Sequence, residues 1–439
     1  MKSSLKILFA LSVLIGFFTL IFLVPRGPGD QRSLFSAPKV QTVYFADHIS
    51  PAHAAVIAMF NERHKGSIEV VAVDLPFSKF STNERKELLA RSLRSKSDRL
   101  DVFSVDYIWT QRFAKWCEEI EPYFGDYSKD NIILPTLRSC FADGKLVAMP
   151  LYIDIGVMYY RTDIIARLPD AAAVEEQLKR SITWDGLLAL QQRLGYTGRP
   201  YYLFQAADYE GLICNFFEIA RSIDRRFLAG DSIDLRSPAA RKALRMMVDF
   251  VHTRKVSPKS VAEFDENKSY VAMLESDAVF VRGWPNFVEN FRKFYPDTSK
   301  FRFIHRAPMP HFAGIPPTSV YGGWNLMVSK FSTKKEAAIE FLRFLQTEEA
   351  QKKMFELGGY IPVNRAVYAD TAYLAAHPDL RFYRELVERG FHRPSLENYT
   401  QISDIIAHFV HRAVRGELDP DRALEEAADM IAANRILLK

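Results

Sequence analysis

The chain has 439 residues, of which 48% are apolar and 25% charged, proportions typical of a folded protein with two or three domains. A mostly disordered chain and a multi-span membrane protein are both excluded by this composition. The formal charge is +5, but the chain beyond residue 32 has a net charge of only +2. Because affinity for nucleic acid depends on neutralising phosphates, a body so near neutrality excludes nucleic acid as a partner.

The N-terminus carries a hydrophobic segment. Residues 7–24 are 18 consecutive residues without a charge, preceded by Lys2 and Lys6. As a helix they would measure about 27 Å, close to the hydrocarbon thickness of a bilayer. The stretch is long for a signal peptide and no clean cleavage site follows it, which favours an anchor over a cleaved signal. We therefore expect residues 1–39 to be a signal peptide or signal anchor plus linker, and the rest to be periplasmic or extracytoplasmic, tethered to the inner membrane.

Strands and helices alternate in the first part of the exported chain. Thr42–Phe45, Ile68–Val73 and Asp101–Val105 have the composition of strands, and helices are predicted from Pro51 and over Glu84–Leu93. This alternation predicts an α/β fold with a parallel sheet covered by helices on both faces.

The second part of the chain is richer in helices. The spacing of apolar residues predicts helices over much of Trp184–Val251, and Val279–Arg282 is a short strand. A proline-dense connector, Ala307–Pro317, precedes a strand at Trp324–Ser329. Thr333-x-x-Glu336 then predicts a capping box at the start of another helix.

Signatures of catalysis, nucleotide binding and metal binding are missing from the sequence. It has no glycine-rich phosphate loop, no G-x-S-x-G and no H-E-x-x-H, so no cofactor and no metal are predicted. Cys117 and Cys140 are a possible disulfide in an oxidising compartment, with free buried thiols as the alternative.

Aromatic and acidic residues follow several of the predicted strands. These residues are Asp106, Trp109, Asp154, Glu210, Trp284, Gly322, Gly323 and Trp324. In open α/β sheets ligands bind beyond the carboxyl ends of strands. Carboxylates accept hydrogen bonds from vicinal hydroxyls, and an indole face can cover the apolar side of a sugar ring, so the set suits a neutral polyhydroxylated ligand. The alternative for each tryptophan is a position in the core.

Several segments resemble those of a known family in their residues and in their order along the chain. They include DGKLVAMPLYIDIGVMYYRTDI, TWDGLLAL, YEGLICNFFE, AVFVRGWP, GGWNLMVSKFSTKKEAAIEFLRFL and HRPSLENYTQISDIIAHF. In this order they resemble the extracellular solute-binding proteins of carbohydrate ABC importers, the maltose-binding type, and most of all its trehalose/maltose-like subgroup. The resemblance runs from about Val40 to the C-terminus.

This resemblance implies a two-lobed periplasmic-binding-protein fold of type II, the Venus-flytrap arrangement, with the ligand between the lobes. Lobe one would comprise residues 40–150 and 308–374, and lobe two residues 151–307 and 375–439. The implied function is to bind a di- or oligosaccharide and deliver it to ABC permease subunits in the inner membrane. The chain would act as a monomer, without catalysis and without an ATP site of its own.

The resemblance also assigns ligand contacts to particular positions. Asp106, Asp154 and Glu210 would accept sugar hydroxyls, Trp284 would stack on a ring, and Gly322 and Gly323 would let the backbone approach the ligand. The remaining assigned contacts are Trp324, Arg393, Trp109 and Asp47. The sequence departs from the family in lacking the lipid-anchoring cysteine and in having R-G-W-P instead of R-N-W-P.

Two alternatives retain the exported α/β body. One is a membrane-anchored sugar sensor, and the other is an exported carbohydrate-active enzyme that uses Asp106, Asp154 or Glu210 as acid and base.

Overall fold

The computed structural model describes residues 40–76, 79, 82–293 and 295–434. The predicted signal or anchor at residues 7–24 lies outside the described residues. Among the helices of the described part, none combines the length and the apolar composition that a bilayer crossing requires.

The strands, numbered in chain order, are β1 Gln41–Asp47, β2 Ile68–Asp74, β3 Val102–Asp106, β4 Phe141–Ala142, β5 Lys145–Leu146, β6 Met149–Ile155, β7 Val157–Arg161, β8 Tyr202–Leu203, β9 Phe280–Gly283, β10 Ile304–Ala307 and β11 Tyr321–Val328.

The α-helices are Pro51–Arg63, Thr82–Arg94, Thr110–Ala114, Glu121–Asn131, Leu134–Arg138, Thr162–Ile165, Ala171–Arg180, Trp184–Arg193, Glu210–Ile223, Pro238–His252, Glu266–Ser276, Phe287–Phe291, Lys335–Leu345, Glu348–Gly358, Arg365–Ala369, Thr371–Ala376, Pro378–Val387, Tyr399–Val414 and Pro420–Ala432. Short 3-10 helices cover Tyr107–Trp109, Ala229–Asp231, Lys259–Glu263 and Phe301–Phe303.

Four strands from the first half of the chain and β11 from a later part build a five-stranded sheet with the order β2-β1-β3-β11-β6. Strands β1, β2 and β3 are parallel as predicted, but β11 runs antiparallel to both β3 and β6. The sheet is therefore mixed, and the prediction of a parallel sheet was wrong for β11, which enters from a distant part of the chain. Strands β6 and β11 are buried throughout, whereas the edge strand β2 is buried only at Val70. Val43, Val102 and Leu326 have no exposed surface.

A second sheet has four strands in the order β10-β7-β9-β8. The helix Glu210–Ile223 packs beside Pro238–His252, and Tyr399–Val414 packs against both of them and against Pro420–Ala432. The C-terminal helices thus lie with the helix-rich part of the chain.

The chain passes directly from one sheet to the other at Gly156, between β6 and β7. The predicted boundary at Pro150 is wrong, because β6 belongs entirely to the five-stranded sheet as the partner of β11. The Gly156 N–H donates to the Val320 carbonyl at 3.1 Å, and the Tyr321 N–H donates to the Phe391 carbonyl at 2.9 Å. Three separate segments therefore lie side by side where the two sheets adjoin.

Two local predictions have different outcomes. The capping box is wrong: the helix begins at Lys335, and the Ser332 hydroxyl instead accepts a hydrogen bond from the Lys334 N–H. Cys117 and Cys140 are free thiols, whose sulfurs lie against the carbonyl oxygens of Phe113 and Thr136 in the helices just before them.

Candidate functional site

The acidic residues predicted for the site meet at one edge of the five-stranded sheet. Since β11 is antiparallel to both β3 and β6, the carboxyl ends of β1, β3 and β6 point the same way. Asp47, Asp106 and Asp154 lie at those ends. The start of β11 is at the same edge, with Trp324 opposite Asp106 and Gly322 opposite Asp154.

The second sheet contributes its own edge to the same place. Trp284 directly follows β9, and Glu210 begins the helix after β8, which is parallel to β9. Strand β7 starts at this edge, with Val157 paired to Gly283, and Gly156 connects it to β6. The two edges therefore adjoin, as expected for a ligand site at the ends of strands.

Arg393 joins residues from the two edges. Its guanidinium donates to Glu210 Oε1 at 2.7 Å and to Asp106 Oδ1 at 3.2 Å. The hydroxyl of Tyr107 lies 3.4 Å from the Arg393 Nε, and Tyr399 donates its hydroxyl to Glu210 Oε1 at 2.8 Å. The Arg393 side chain is only 1% exposed. The cluster is thus an internally satisfied ionic network.

Asp154, unlike the Arg393 network, has an oxygen without a hydrogen-bond partner among the described residues. Its side chain is buried, and within the described residues its Oδ1 has no hydrogen-bond partner. Burial raises the pKa of Asp154 to about 7, repulsion from Asp106 and Glu266 adds to the rise, and Arg282 opposes it. Burial also raises the pKa of Asp106, although Arg393 counteracts that effect. An unpaired buried carboxyl oxygen is costly to keep, which makes Asp154 available to a hydroxyl-bearing ligand.

Trp284 is half-buried and held on several sides. Its indole N–H donates to Glu266 Oε1 at 3.1 Å, and its backbone N–H donates to the Tyr270 hydroxyl at 2.9 Å. The guanidinium carbon of Arg282 lies 3.9 Å from the ring centroid, a close cation–π contact. These contacts hold the indole in a defined orientation beside the two sheet edges.

The paired glycines of β11 leave room for neighbouring protein groups. A Cβ on Gly322 would come within 2.9 Å of the Trp284 ring and 3.1 Å of the Asp154 Cβ. Gly323 has a φ of +126°, and a Cβ there would lie 2.5 Å from the Tyr152 carbonyl oxygen. Gly322 thus lets Trp284 of one lobe approach Asp154 of the other.

Trp324 and Trp109 pack as core residues beside the site. They are 8% and 2% exposed and meet edge to face, with ring centroids 6.5 Å apart. The helix Thr82–Arg94 places the guanidinium of Arg85 4.3 Å from the ring centroid of Trp324 and the Lys86 ammonium 5.4 Å from that of Trp109. The core alternative describes the position of both tryptophans in this structure.

Asp47 is occupied by protein partners. Its Oδ1 accepts from Arg85 Nη2 at 2.8 Å and from the His48 N–H at 2.6 Å. His53 Nε2 lies 3.6 Å from Asp47 Oδ2, and burial lowers the pKa of His53 to about 4, which keeps the ring neutral. Asp47 therefore acts as the counter-ion of a fully buried arginine.

Sequence reasoning missed three charged residues of the site. Arg282 stands two positions before Trp284 in R-G-W-P and could have been found from that motif. Arg85 precedes the buried Leu89 by one helical turn, so its position on the apolar face was a usable signal. Glu266 comes from a separate helix, and nothing in the local sequence links it to Trp284.

Two cavities show where open space lies. One of about 10 Å³ lies beside the site, between Tyr152, Gly322 and neighbouring residues. The other, of about 630 Å³, lies elsewhere, on the surface of the helices Trp184–Arg193 and Pro238–His252. The smaller cavity is far below the ~300 Å³ at the lower end of ordinary ligand pockets.

The sequence of the chain matches one family of known proteins. Residues 55–381 match the family model of the bacterial extracellular solute-binding proteins. The chain belongs to this family. A protein of Deinococcus radiodurans, named as a probable ABC transporter-binding protein, is 24% identical over 372 residues, which cover 80% of this chain and 84% of that protein.

Solved structures show the same fold. Maltose-bound MalE3 of T. maritima is 27% identical with a TM-score of 0.80, and the match covers 90% of this chain and all of that one. A solute-binding protein of Agrobacterium radiobacter in complex with ribitol is 19% identical with a TM-score of 0.72, covering 89% and 98% of the two chains. The predicted two-lobed α/β fold is confirmed.

The family also confirms the predicted role. The chain is a solute-binding component of an ABC transporter, and the family's extracellular location agrees with the expected position outside the cytoplasm. Members of this family are binding proteins rather than enzymes.

Proposed function

We propose that the chain binds a neutral polyhydroxylated solute, a di- or oligosaccharide, between its two lobes and delivers it unchanged to ABC permease subunits. The observation that carries this proposal is the unpartnered, buried Oδ1 of Asp154 close to the half-buried indole of Trp284. A carboxyl oxygen that accepts from hydroxyls, next to a flat apolar ring, matches the two faces of a sugar.

The arginines around the site favour an uncharged ligand. Arg393, Arg282 and Arg85 each have a carboxylate partner within 3.2 Å inside the protein. A ligand carrying a phosphate or carboxylate would have to compete with those partners for each cation, at a considerable desolvation cost. The bound maltose of MalE3 and the ribitol of the Agrobacterium protein are neutral polyols and agree with this preference.

The remaining site residues have secondary roles in the proposal. Asp106, 14% exposed, could still accept a hydroxyl after binding Arg393. Because Arg393 also engages Glu210, an acid–base pair of the kind a glycosidase needs is disfavoured, which supports a non-catalytic role. Trp324, Trp109, Asp47 and the glycines would shape the cleft rather than contact the ligand.

The proposal includes two further features that rest on the sequence. We place the chain at the inner membrane, held by the hydrophobic residues 7–24, and we expect it to act as a monomer. We also retain the predicted division into lobes of residues 40–150 with 308–374 and 151–307 with 375–439, moving only the first crossing to Gly156.

The test combines a ligand screen with a tryptophan variant. Thermal unfolding of the protein with a panel of sugars, polyols, amino acids and glycerol phosphate should identify the class of ligand. A ligand present at about 100 times its Kd stabilises the protein by about 2.7 kcal/mol. Trp284→Ala should abolish the stabilisation by the best sugar and the change in tryptophan fluorescence.

Trp116→Ala is the matched control. Like Trp284, Trp116 is partly buried and makes a cation–π contact, with the Lys115 ammonium 4.7 Å from its ring centroid. This variant should retain sugar binding. Stabilisation by an amino acid or by glycerol phosphate alone, or normal sugar binding by Trp284→Ala, would refute the proposal.

A further inference from the structure

A buried ion pair lies directly beneath the crossings between the two lobes. Glu218 and Arg282 are 2% and 0% exposed, and the Arg282 Nε and Nη2 donate to the two carboxylate oxygens of Glu218, each at 3.1 Å. Glu218 comes from the helix Glu210–Ile223 and Arg282 from β9, so both belong to the second lobe. The proposed function uses this pair only to show that the charge of Arg282 is neutralised inside the protein.

The carboxylate of Glu218 contacts two of the crossing segments. Its Oε1 accepts the backbone N–H of Val320 at 3.2 Å. It also fills the space beside Gly156, because a Cβ there would lie 1.9 Å from that oxygen and 3.1 Å from the Arg282 Nη2. Since Gly156 itself donates to the Val320 carbonyl, a rearrangement of these segments would disturb the partners of Glu218.

The other end of the pair reaches the ligand site. The Arg282 guanidinium lies on the Trp284 ring at 3.9 Å, and its Nη1 makes no hydrogen bond to any of the described residues. The guanidinium therefore contacts both the Glu218 carboxylate and the Trp284 ring. A continuous path of contacts runs from the Val320 N–H through Glu218 and Arg282 to the proposed stacking surface.

We propose that Glu218 and Arg282 are positioning residues that couple the pose of Trp284 to the arrangement of the lobe crossings. Closure would set the indole against the sugar, and a stacked sugar would in turn favour the closed crossings, because coupling between two sites is reciprocal. The sugar-binding half of this inference rests on the proposed function, whereas the link between Glu218 and Trp284 exists without ligand.

The first experiment tests the link in the free protein. The full chain is labelled with 5-fluorotryptophan, and the ¹⁹F resonance of Trp284 is assigned by its loss in Trp284→Phe. Glu218→Gln should shift this resonance by more than its linewidth. Asp163→Asn, which removes a carboxylate partner of the buried Arg161 in the neighbouring strand β7, should leave it in place.

The second experiment measures binding and the crossing together, with maltose and mannitol as probes. Arg282→Lys keeps the charge but cannot donate in parallel to both Glu218 oxygens, so it should weaken binding of the better probe at least tenfold. It should also abolish the probe-induced protection of the Val320 amide from hydrogen exchange. Arg161→Lys, a change of the same kind, should bind within twofold of the wild type.

A merely structural pair would lower the Tm of Arg282→Lys without changing probe affinity or Val320 protection, and that result would overturn the proposal. An unmoved Trp284 resonance in Glu218→Gln would overturn it as well. If the wild type binds neither probe nor any other sugar, the proposed function fails, and the ¹⁹F comparison in the free protein alone decides whether the coupling exists.

Discussion

Asp106 and Asp154 lie at the same edge of the five-stranded sheet, yet their surroundings are opposite. Asp106 accepts hydrogen bonds from Arg393 and from the Ile108 N–H, within a network that also includes Glu210. Asp154 is buried with an oxygen that has no hydrogen-bond partner among the described residues. The sequence places the two aspartates equivalently, each near the end of a strand.

The difference separates two uses of buried charge. A charge whose partners all come from the protein contributes to holding the lobes in place, and its removal leaves those partners uncompensated. A buried carboxyl with one unpaired oxygen lowers the stability of the free protein, and that oxygen can still accept a hydrogen bond from a ligand. Each prediction below asks whether one of these two assignments is right.

The largest effect is expected for Arg393→Met. The change removes the cation that neutralises Asp106 and Glu210 while both carboxylates remain buried. Breaking a buried ion network in this way should cost about 3 to 5 kcal/mol of unfolding free energy. Urea unfolding of the ligand-free protein at pH 7 measures this loss.

Arg63→Ala is the control for Arg393→Met. Arg63 and its partner Glu349 are 49% and 55% exposed, so their pair should contribute about 0 to 1 kcal/mol. If the two variants lost equal stability, the Arg393 network would not be the structural side of the comparison.

Asp154→Asn should stabilise the free protein, with a defined pH dependence. An aspartate titrates near 3.9 when unfolded, whereas the pKa of Asp154 in the folded protein is about 7. Between these values the folded state binds more protons than the unfolded state, so wild-type stability falls as the pH rises from about 4 to 7. The asparagine does not ionise and avoids that loss, which amounts to at most about 4 kcal/mol above pH 7.

The measurement for Asp154→Asn is urea unfolding of both proteins at pH 4, 6 and 8. The advantage of the variant should grow with pH and then become constant, while its affinity for sugar falls. Asp170→Asn is the control, because this carboxylate is half exposed and pairs with Arg193 at the surface. A variant of Asp154 that loses stability at pH 8 would show that the carboxylate has partners after all.

Most of the fold follows from local signals in the sequence. The N-cap Ser50 with Pro51 starts the first helix where predicted, and β1 and β2 contain the predicted strands. The direction of β11 was not accessible in this way, because a strand's partner is chosen by contacts that are distant in sequence. The predicted boundary at Pro150 missed the crossing at Gly156, since the extent of β6 depends on its pairing with β11.

The convergence of several candidate site residues could be predicted from the sequence, but their hydrogen bonds could not. Asp154 and Trp284 were found because they follow strands, and the structure brings both against Gly322. Whether a carboxylate has a hydrogen-bond donor depends on residues of other segments: Arg393 donates to Asp106, and the Trp284 indole donates to Glu266. Trp324 shows what the sequence could not predict. It lies at the same sheet edge as Asp106, but its ring packs in the core under Arg85.

The smallest effect is expected for Tyr399→Phe, on the satisfied side of the comparison. The change removes one hydroxyl donor to Glu210, which keeps its 2.7 Å bond to Arg393. The loss should be about 1 kcal/mol of unfolding free energy, the usual net value of one hydrogen bond, with sugar affinity within twofold of the wild type. Tyr295→Phe, whose hydroxyl lies 3.4 Å from Glu275 at the surface, should cost less. Weaker sugar binding by Tyr399→Phe at unchanged stability would instead assign the Glu210 network to the ligand, and the contrast between Asp106 and Asp154 would then be one of degree.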